Sequence, residues 1–196
     1  MNCLTLQKIL SMTFSDYQKL FDTILAGETN EKPYDDFHFV EYVKLNLSRQ
    51  NRWVKKGEIA EEIKLTVQSI TEKQTWIVIT EPWCGDAAHN VPFLAKLAEL
   101  NPNITLKFQL RDSENSEIES YLTNGGKSIP KLIARNEAGE DIFTWGPRPA
   151  ESQVIFDQLK AENASFELQK IALQEWYNKN AGCAIQEEIL AILKSI

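Results

Sequence analysis

The distribution of apolar residues predicts a buried strand followed by a helix in the middle of the chain. Residues 76–79, Trp-Ile-Val-Ile, form a continuous apolar run, which is typical of a strand buried on both faces. The run ends before Glu81-Pro82, and apolar residues recur at helical spacing over 93–100. Between the two elements lies Trp-Cys-Gly-Asp at 83–86. The pattern therefore places a cysteine at a strand-to-helix turn.

Three further segments predict the remainder of a sheet. Alternating apolar and polar residues over 104–110 predict a half-buried edge strand, and right-handed crossover makes it parallel to the first strand. Apolar residues within 118–122 predict the next helix. Segments 131–134 and 142–145 flank a turn at 137–139, which indicates a hairpin. Strands and helices that alternate in this way favour an α/β fold.

Helical spacing of apolar residues dominates both ends of the chain. It predicts three helices in the N-terminal third, the first capped by Thr13 or Ser15, and further helices in the last third. We expect an N-terminal helical extension at 1–74, a core at 75–162 and a C-terminal helical extension at 163–196. The three parts are expected to pack together as one compact domain.

The position of Cys84 predicts an unusual thiol. A cysteine at the start of a helix lies beside unpaired N–H groups and the positive end of the helix dipole, both of which favour its thiolate. The alternative is that Cys84 is simply a small buried hydrophobic residue. The position of Cys84 at the start of a predicted helix does not by itself distinguish a reactive thiol from a buried hydrophobic residue.

The sequence resembles the thioredoxin-like superfamily at four ordered features over roughly half of the chain. Trp83-Cys84-Gly85 resembles the start of the thioredoxin motif Trp-Cys-Gly-Pro-Cys, and Pro92 matches its helix-kinking proline. Ile129-Pro130 matches the pair that contains a cis proline, and a hairpin with Gly146 precedes a helix. The fuller motif Trp-Cys-Gly-Asp-Ala resembles a bacterial branch of the superfamily. The resemblance implies a central four-stranded mixed sheet flanked by helices, with extra N- and C-terminal helices.

The same resemblance implies a site. Cys84 would be the nucleophile, and the backbone of Ile129, beside a cis Pro130, would pair with the main chain of a substrate. The residues that the resemblance brings to this site are Trp83, Cys84, Gly85, Asp86, Ala87, Ile129 and Pro130.

Three departures from the thioredoxin pattern change the expected chemistry. Ala87 replaces the second cysteine, and Val78 replaces a buried aspartate, so the two-cysteine mechanism is lost. Asp86 replaces the motif proline and should raise the thiol pKa against the effect of the helix. Two hypotheses follow. One is a monothiol oxidoreductase whose adduct is released by an external thiol, and the other is a redox-inactive module that binds a protein or peptide.

Charged residues near the predicted turn extend the candidate site. Arg111 and Asp112 follow the edge strand, so they should lie at the same rim as Cys84. Arg49 and Arg52 lie on the second predicted helix. They either form a solvated face with local ion pairs, or one of them binds an anionic substrate at the Cys84 cleft.

Composition narrows the possible partners. The net charge of −7 over 196 residues argues against nucleic acid and anionic membranes as partners. No apolar run approaches the length of a membrane span, and the first residues lack the pattern of a secretory signal. Cys3, Cys84 and Cys183 form neither a disulfide framework nor a metal-ligand spacing, and His89 is expected to be a packing or surface residue. We therefore expect a cytoplasmic protein without cofactor or metal. Its expected partner is a disulfide- or thiol-containing protein or a small thiol.

Overall fold

The computed structural model describes residues 12–29 and 31–196 as seven helices and four strands. Cys3, one of the three cysteines discussed in the sequence analysis, lies outside these residues. In chain order the elements are α1 Phe14–Leu25, α2 Phe37–Lys56, α3 Glu61–Gln68, β1 Gln74–Thr80, α4 Gly85–Glu99, β2 Ile104–Leu110, β3 Lys131–Asn136, β4 Asp141–Trp145, α5 Ala150–Ala161, α6 Phe166–Asn180 and α7 Cys183–Leu193.

The four strands form one mixed sheet in the order β2-β1-β3-β4. Strand β2 runs parallel to β1, whereas β3 pairs antiparallel with both β1 and β4. The expected mixed sheet, with β2 at an edge, is therefore confirmed. Met12 adds an antiparallel bridge to that edge, with N···O distances to Phe108 of 3.0 and 2.8 Å. The N-terminal extension thus begins, among the described residues, as an addition to the sheet.

Helix α1 packs directly on the sheet. Thr13 caps the helix in a reciprocal capping box with Asp16, which confirms one of the two expected caps. The Tyr17 ring stacks on Phe108 of β2, with centroids 5.1 Å apart and planes only 4° from parallel. Phe21 meets Tyr17 edge-on at 5.3 Å. These aromatic contacts fix the N-terminal extension to the core.

Helix α2 runs alongside α4 in the same direction. The Asn46 amide donates to the Pro82 carbonyl at 3.0 Å, and the Trp53 indole donates to His89 at 2.9 Å. Each pair is separated by the same 36 positions in sequence. Pro82 precedes α4, Gly85 begins it and lies next to Arg49, and His89 follows one turn later, so α2 and α4 advance in the same direction. This register brings the middle of α2 to the first turn of α4.

The helix predicted at 118–122 is reduced to a single 3-10 turn, Ile118–Ser120. The prediction was wrong because the segment is too short. A polar stretch precedes Ile118, and Asn124 and Gly125, both with positive φ, form the tight turn of a small Thr123–Gly126 bridge. The few residues left between them cannot offset the cost of nucleating a longer helix. Ile118 still reaches the core, with 1% of its surface exposed.

The C-terminal helices contact both the core and the N-terminal extension. The Gln186 side chain bonds the backbone of Glu58 and Ala60, at 3.1 and 2.9 Å. Glu188 accepts hydrogen bonds from the Trp145 indole and the Ala150 N–H. The division into an extension at 1–74, a core at 75–162 and an extension at 163–196 stays a prediction, but these contacts tie the three parts together.

Candidate functional site

Cys84 is the N-cap of α4. Strand β1 ends at Thr80, and a turn closed by a 3.0 Å bond from the Cys84 N–H to the Glu81 carbonyl leads into the helix. The Cys84 Sγ then accepts the Ala87 N–H at 3.4 Å. Sulfur therefore takes the place that a serine or aspartate oxygen usually has at a helix start. The expected strand-cysteine-helix arrangement is present.

The Ile129-Pro130 pair faces this cysteine. Its peptide bond is cis, as expected, and the Cys84 thiol donates to the Ile129 carbonyl oxygen with an Sγ···O distance of 3.3 Å. Gly146 packs closely against the pair. A Cβ on Gly146 would lie only 2.2 Å from the Pro130 carbonyl oxygen, so this close approach needs a glycine. The sheet thus holds the cis-proline loop against the start of α4.

The environment of Cys84 favours the neutral thiol. Only 7% of the residue is exposed. Burial is the main cause that raises the pKa of Cys84 to about 12, and the neighbouring Asp86 carboxylate adds to it. The Ala87 N–H and the Arg148 charge act in the opposite direction but are outweighed. Burial, rather than either of the two effects that the sequence indicated, therefore dominates the pKa of Cys84, and the Asp86 carboxylate acts in the same direction as burial.

Asp86 belongs to a buried charged cluster that the sequence did not reveal. Arg148 donates twice to one carboxylate oxygen, at 2.6 and 3.1 Å, and the Tyr177 hydroxyl donates to the other at 2.7 Å. The Arg148 and Asp86 side chains are only 13% and 11% exposed. The Asn90 amide donates to the Tyr177 hydroxyl at 3.0 Å. Both oxygens of the Asp86 carboxylate therefore accept hydrogen bonds, and Tyr177 of α6, in the C-terminal extension, supplies one of the donors.

Gly85 and Ala87 occupy the first turn of α4 on either side of Asp86. Ala87 is fully buried. Gly85 is half-buried, and a Cβ built on it would lie 3.7 Å from an Arg49 guanidinium nitrogen. The motif position that usually carries the second cysteine is therefore enclosed, whereas the position next to Cys84 faces an arginine.

Trp83 forms the rim of the turn together with the end of β2. The Arg111 guanidinium lies 4.6 Å from the centre of the Trp83 ring, and it is held by two bonds to Asp112, at 2.8 and 2.6 Å. Phe39 meets the same indole edge-on at 5.9 Å. The structure thus brings Arg111 and Asp112 to the turn, as strand polarity predicted.

The side chains of Arg49 and Arg52 contact different parts of the protein, although both residues lie on α2. The Arg49 side chain approaches Gly85 and donates to the Asn46 side chain at 2.9 Å. Arg52 stacks over the Trp53 ring at 4.6 Å and donates to Asn178 of α6. Only Arg49 is therefore close to the turn. Arg52 helps to join α2 and α6.

Glu81 is a second buried carboxyl that sequence reasoning missed. Its oxygens accept the Tyr34 hydroxyl at 3.0 Å and the Asp112 N–H at 3.2 Å. Burial raises the pKa of Glu81 to about 7, because it outweighs the stabilisation that these two donors give the carboxylate. The only sequence signal was its position beside Pro82 at the end of a buried strand.

His89 is a packing residue, one of the two roles expected for it. Its ring stacks on Tyr177 with centroids 4.3 Å apart, and it accepts the Trp53 indole N–H. Its other nitrogen lies 3.2 Å from the Gln174 side-chain oxygen. Burial lowers the pKa of His89 to about 3, so the ring stays neutral and joins α2, α4 and α6.

Neither a second thiol nor a metal-ligand group accompanies Cys84 in the described part of the chain. Cys183 is a free, exposed cysteine at the start of α7. Residues 12–29 and 31–196 contain no cluster of three or more histidine, cysteine, aspartate or glutamate side chains that could hold a metal ion. Over the same residues, no helix is long and apolar enough to cross a membrane.

A mixed sheet, a cysteine at the start of the following helix and a facing cis-proline loop together define a thioredoxin-like fold. A family model described as thioredoxin matches residues 35–160, more than half of the sequence. The chain belongs to the thioredoxin family. The match includes the cysteine turn, the cis-proline pair and α2.

Two solved structures are similar over nearly the whole chain. One is a 1.5 Å crystal structure of PA1234, a protein of unknown function from Pseudomonas aeruginosa, with a TM-score of 0.58 and 16% identity; the similarity covers 100% of this chain and 98% of that one. The other is an HIV 4E10 epitope scaffold, with a TM-score of 0.57 and 14% identity, covering 94% and 99% of the two chains. At this identity they show the fold alone. No curated protein matches the sequence.

Proposed function

We propose that this protein is a monothiol thiol–disulfide oxidoreductase in which Cys84 is the nucleophile. One observation carries the proposal. The Cys84 sulfur lies at the start of α4, in contact with the Ile129 carbonyl beside the cis Pro130. That carbonyl is the group expected to pair with the main chain of a disulfide-containing substrate. Nucleophile and recognition group are thus adjacent.

In the free protein the Cys84 thiol itself donates a hydrogen bond to the Ile129 carbonyl, the group that is expected to pair with a substrate. An extended substrate segment that pairs with Ile129 brings a backbone N–H to the carbonyl, and this N–H replaces the Cys84 thiol as donor. The sulfur then loses the acceptor that stabilises its protonated form but keeps the Ala87 N–H, which stabilises the thiolate. Substrate binding therefore lowers the thiol pKa, and the released proton passes to solvent.

The exchange step needs only one cysteine of this chain. The Cys84 thiolate attacks one sulfur of the substrate disulfide, a new S–S bond forms, and the other substrate sulfur leaves as a thiolate. Ala87 supplies no second thiol, so the mixed disulfide persists until an external thiol attacks it. That thiol forms a disulfide with the substrate and returns Cys84 to its reduced form. No cofactor takes part, and a reducing compartment such as the cytoplasm would supply the thiol.

The second candidate is a redox-inactive module that binds a protein or peptide in the Cys84/Pro130 cleft. The burial of the thiol favours it, since burial raises the pKa of Cys84 to about 12 and so keeps the sulfur protonated near neutral pH. Binding would use the same Ile129 backbone groups. Cys84 would then be a buried packing residue.

Reaction of Cys84 with a chromogenic disulfide under native conditions separates the two candidates. In a Cys3→Ser/Cys183→Ser background, Cys84 is the only thiol of the chain. The oxidoreductase is expected to form a mixed disulfide that a small thiol removes, and a cystine-containing peptide should react faster than a small disulfide. If Cys84 reacts only after unfolding, and peptide binding protects it further, the oxidoreductase is rejected in favour of the binding module.

A further inference from the structure

We propose that Arg49 is an anion-binding residue of the Cys84 site and selects disulfides and thiols that carry a carboxylate. The inference rests on the proposed function, which it extends from a reaction to a class of substrate. It comes from a cation, a buried amide and a glycine that meet at the first turn of α4.

The Arg49 guanidinium lies next to the reactive turn. One of its terminal nitrogens is 3.7 Å from the position that a Cβ on Gly85 would occupy, which is ordinary van der Waals contact. Because consecutive Cα atoms are about 3.8 Å apart, the nitrogen is at most roughly 9 Å from the Cys84 Cα. This spacing suits a charged group several bonds away from a sulfur that reacts with Cys84.

In the part of the chain that the structure describes, no carboxylate balances the positive charge of Arg49. Among residues 12–29 and 31–196, no acidic side chain lies within ion-pair distance of its guanidinium, and its one side-chain acceptor is the Asn46 amide oxygen. The nearby Asp86 carboxylate is fully engaged by Arg148 and Tyr177. The guanidinium is half-buried, and this burial lowers the pKa of Arg49. A desolvated cation without a counter-ion is a group that an anionic ligand would stabilise.

The arginine is held in place before any ligand arrives. Asn46 is fully buried, and its amide is oriented by the Pro82 carbonyl while its oxygen accepts from Arg49. The side chain that fixes the guanidinium is therefore fixed itself by the turn that carries Cys84. Such preorganisation lowers the cost of ordering a flexible arginine on binding.

A second polar group at the same level of α2 also lacks a partner. Gln50 is fully buried, and neither polar atom of its amide is hydrogen-bonded among the described residues. It lies on the face of α2 between Asn46 and Trp53, which contact Pro82 and His89. Gln50 is therefore on the side of α2 that packs on α4, one residue after Arg49. An amide without a partner is thus adjacent in sequence to the cation without a carboxylate.

The expected ligand group is a carboxylate, because a guanidinium binds carboxylates in a planar, two-bond geometry. The carboxylate belongs either to a small thiol or to an acidic side chain near the cystine of a protein. Both sources present the same carboxylate to Arg49, so the second test below compares a small thiol derivative with an acidic peptide.

The first test compares two chromogenic disulfides in the Cys3→Ser/Cys183→Ser background. One is anionic, 5,5′-dithiobis(2-nitrobenzoate), and the other is neutral, 4,4′-dithiodipyridine. Arg49→Gln should slow the anionic reagent about tenfold, the effect of roughly 1.4 kcal/mol, and change the neutral one less than twofold. Arg49→Lys should restore part of the difference. Arg52→Gln is the matched control and should leave the ratio unchanged. Equal slowing of both reagents by Arg49→Gln, or no slowing, would overturn the proposal.

A second test does not depend on reactivity. The Gly85 amide resonance is followed while S-methylglutathione, an unreactive thioether with two carboxylates, or an acidic cystine-free peptide is added. Saturable shifts that disappear in Arg49→Gln support the proposal, and the ligand with the tighter binding identifies the source. Absence of binding by both in the unsubstituted chain rejects it. If Cys84 reacts with neither disulfide while binding depends on Arg49, the oxidoreductase fails and the anion site stands.

Discussion

The Tyr177 hydroxyl donates a 2.7 Å hydrogen bond to the Asp86 carboxylate across 91 residues of sequence. This contact joins helix α6 of the C-terminal extension to Asp86, the second residue after Cys84. Tyr177 also stacks on His89, which in turn accepts the Trp53 indole N–H of α2. Both extensions therefore meet at the helix that carries the thiol, and changes in either are expected to affect Cys84.

Replacing Tyr177 by Phe should destabilise the fold by about 1–3 kcal/mol, because the buried Asp86 carboxylate loses a donor and the Asn90 amide loses an acceptor. Urea unfolding followed by tryptophan fluorescence measures the loss. Tyr42→Phe is the control, since that hydroxyl is only half-buried and bonds Lys170. Equal effects of the two substitutions would contradict the structural role of the Asp86 contact.

Replacing Asp86 by Asn should lower the pKa of the Cys84 thiol. The carboxylate is the second of the causes that raise it, after burial, so the value should fall but stay above that of a free cysteine. The rate of iodoacetamide alkylation as a function of pH reports the pKa. Asp157→Asn, an exposed position on α5, should leave the profile unchanged. An unshifted profile in Asp86→Asn would show that this carboxylate does not control the thiol.

Stability should depend on pH through Glu81. Burial raises its pKa from 4.5 in the unfolded chain to about 7, so the native state binds more protons between these values. The free energy of unfolding should therefore fall as pH rises from about 4.5 to 7, by at most about 3 kcal/mol. Above pH 7 the penalty should be constant.

Glu81→Gln should remove most of this slope, because the amide keeps an acceptor for the Tyr34 hydroxyl and does not ionise. Chemical unfolding at half-unit steps of pH measures it. Glu140→Gln, at an exposed turn, serves as the control. A slope that survives in Glu81→Gln would assign the pH dependence to other groups.

The sheet and the cysteine turn could be predicted because local signals specify them. The β-branched run before Glu81, the alternation along β2 and the turn chemistry between β3 and β4 each follow from a few neighbouring residues. The cis bond before Pro130 was expected only from the resemblance, since general preference favours trans. Local pattern and family resemblance together therefore gave the fold.

The buried polar clusters could not be predicted, because their members come from distant parts of the chain. Asp86 meets Arg148 and Tyr177 only after three separate elements have packed. Likewise, nothing near Arg49 in sequence indicates that it turns toward Gly85 while Arg52 turns toward Asn178. Such choices depend on the direction in which α2 packs on α4, which periodicity alone does not define.

Gly146→Ala should disrupt the cis-proline loop. Gly146 has φ of 112°, and an added Cβ would lie 2.2 Å from the Pro130 carbonyl oxygen, so the backbone must move. Gly125→Ala is a matched control, with φ of 78° but no atom within 4 Å of its Cβ position. We expect about 1 kcal/mol of destabilisation for the control, from φ alone, and at least twice that for Gly146→Ala. Urea unfolding provides both values, and similar losses would contradict the contact.

Replacing Ala87 by Cys should shorten the life of a mixed disulfide on Cys84. The Ala87 N–H already lies 3.4 Å from the Cys84 sulfur, and its side chain is enclosed in the same turn. A thiol there attacks the adduct intramolecularly, with an effective concentration far above that of a thiol in solution. In the Cys3→Ser/Cys183→Ser background, Cys84 is loaded with a chromogenic disulfide, and release is followed without added thiol. We expect at least tenfold faster release in Ala87→Cys, although Val78 in place of an ionisable residue limits the gain.

Ala88→Cys provides the control for this last experiment. Ala88 is equally enclosed, with 2% of its surface exposed, but it is one residue further along α4. One step along a helix turns a side chain by about 100°, so a thiol at 88 points away from the direction of the Ala87 side chain. Fast release in Ala87→Cys but not in Ala88→Cys supports intramolecular resolution. If both variants release the adduct at the rate of the unsubstituted chain, a thiol at position 87 does not reach the adduct, and the proposal that the missing second cysteine sets the lifetime of the adduct is wrong.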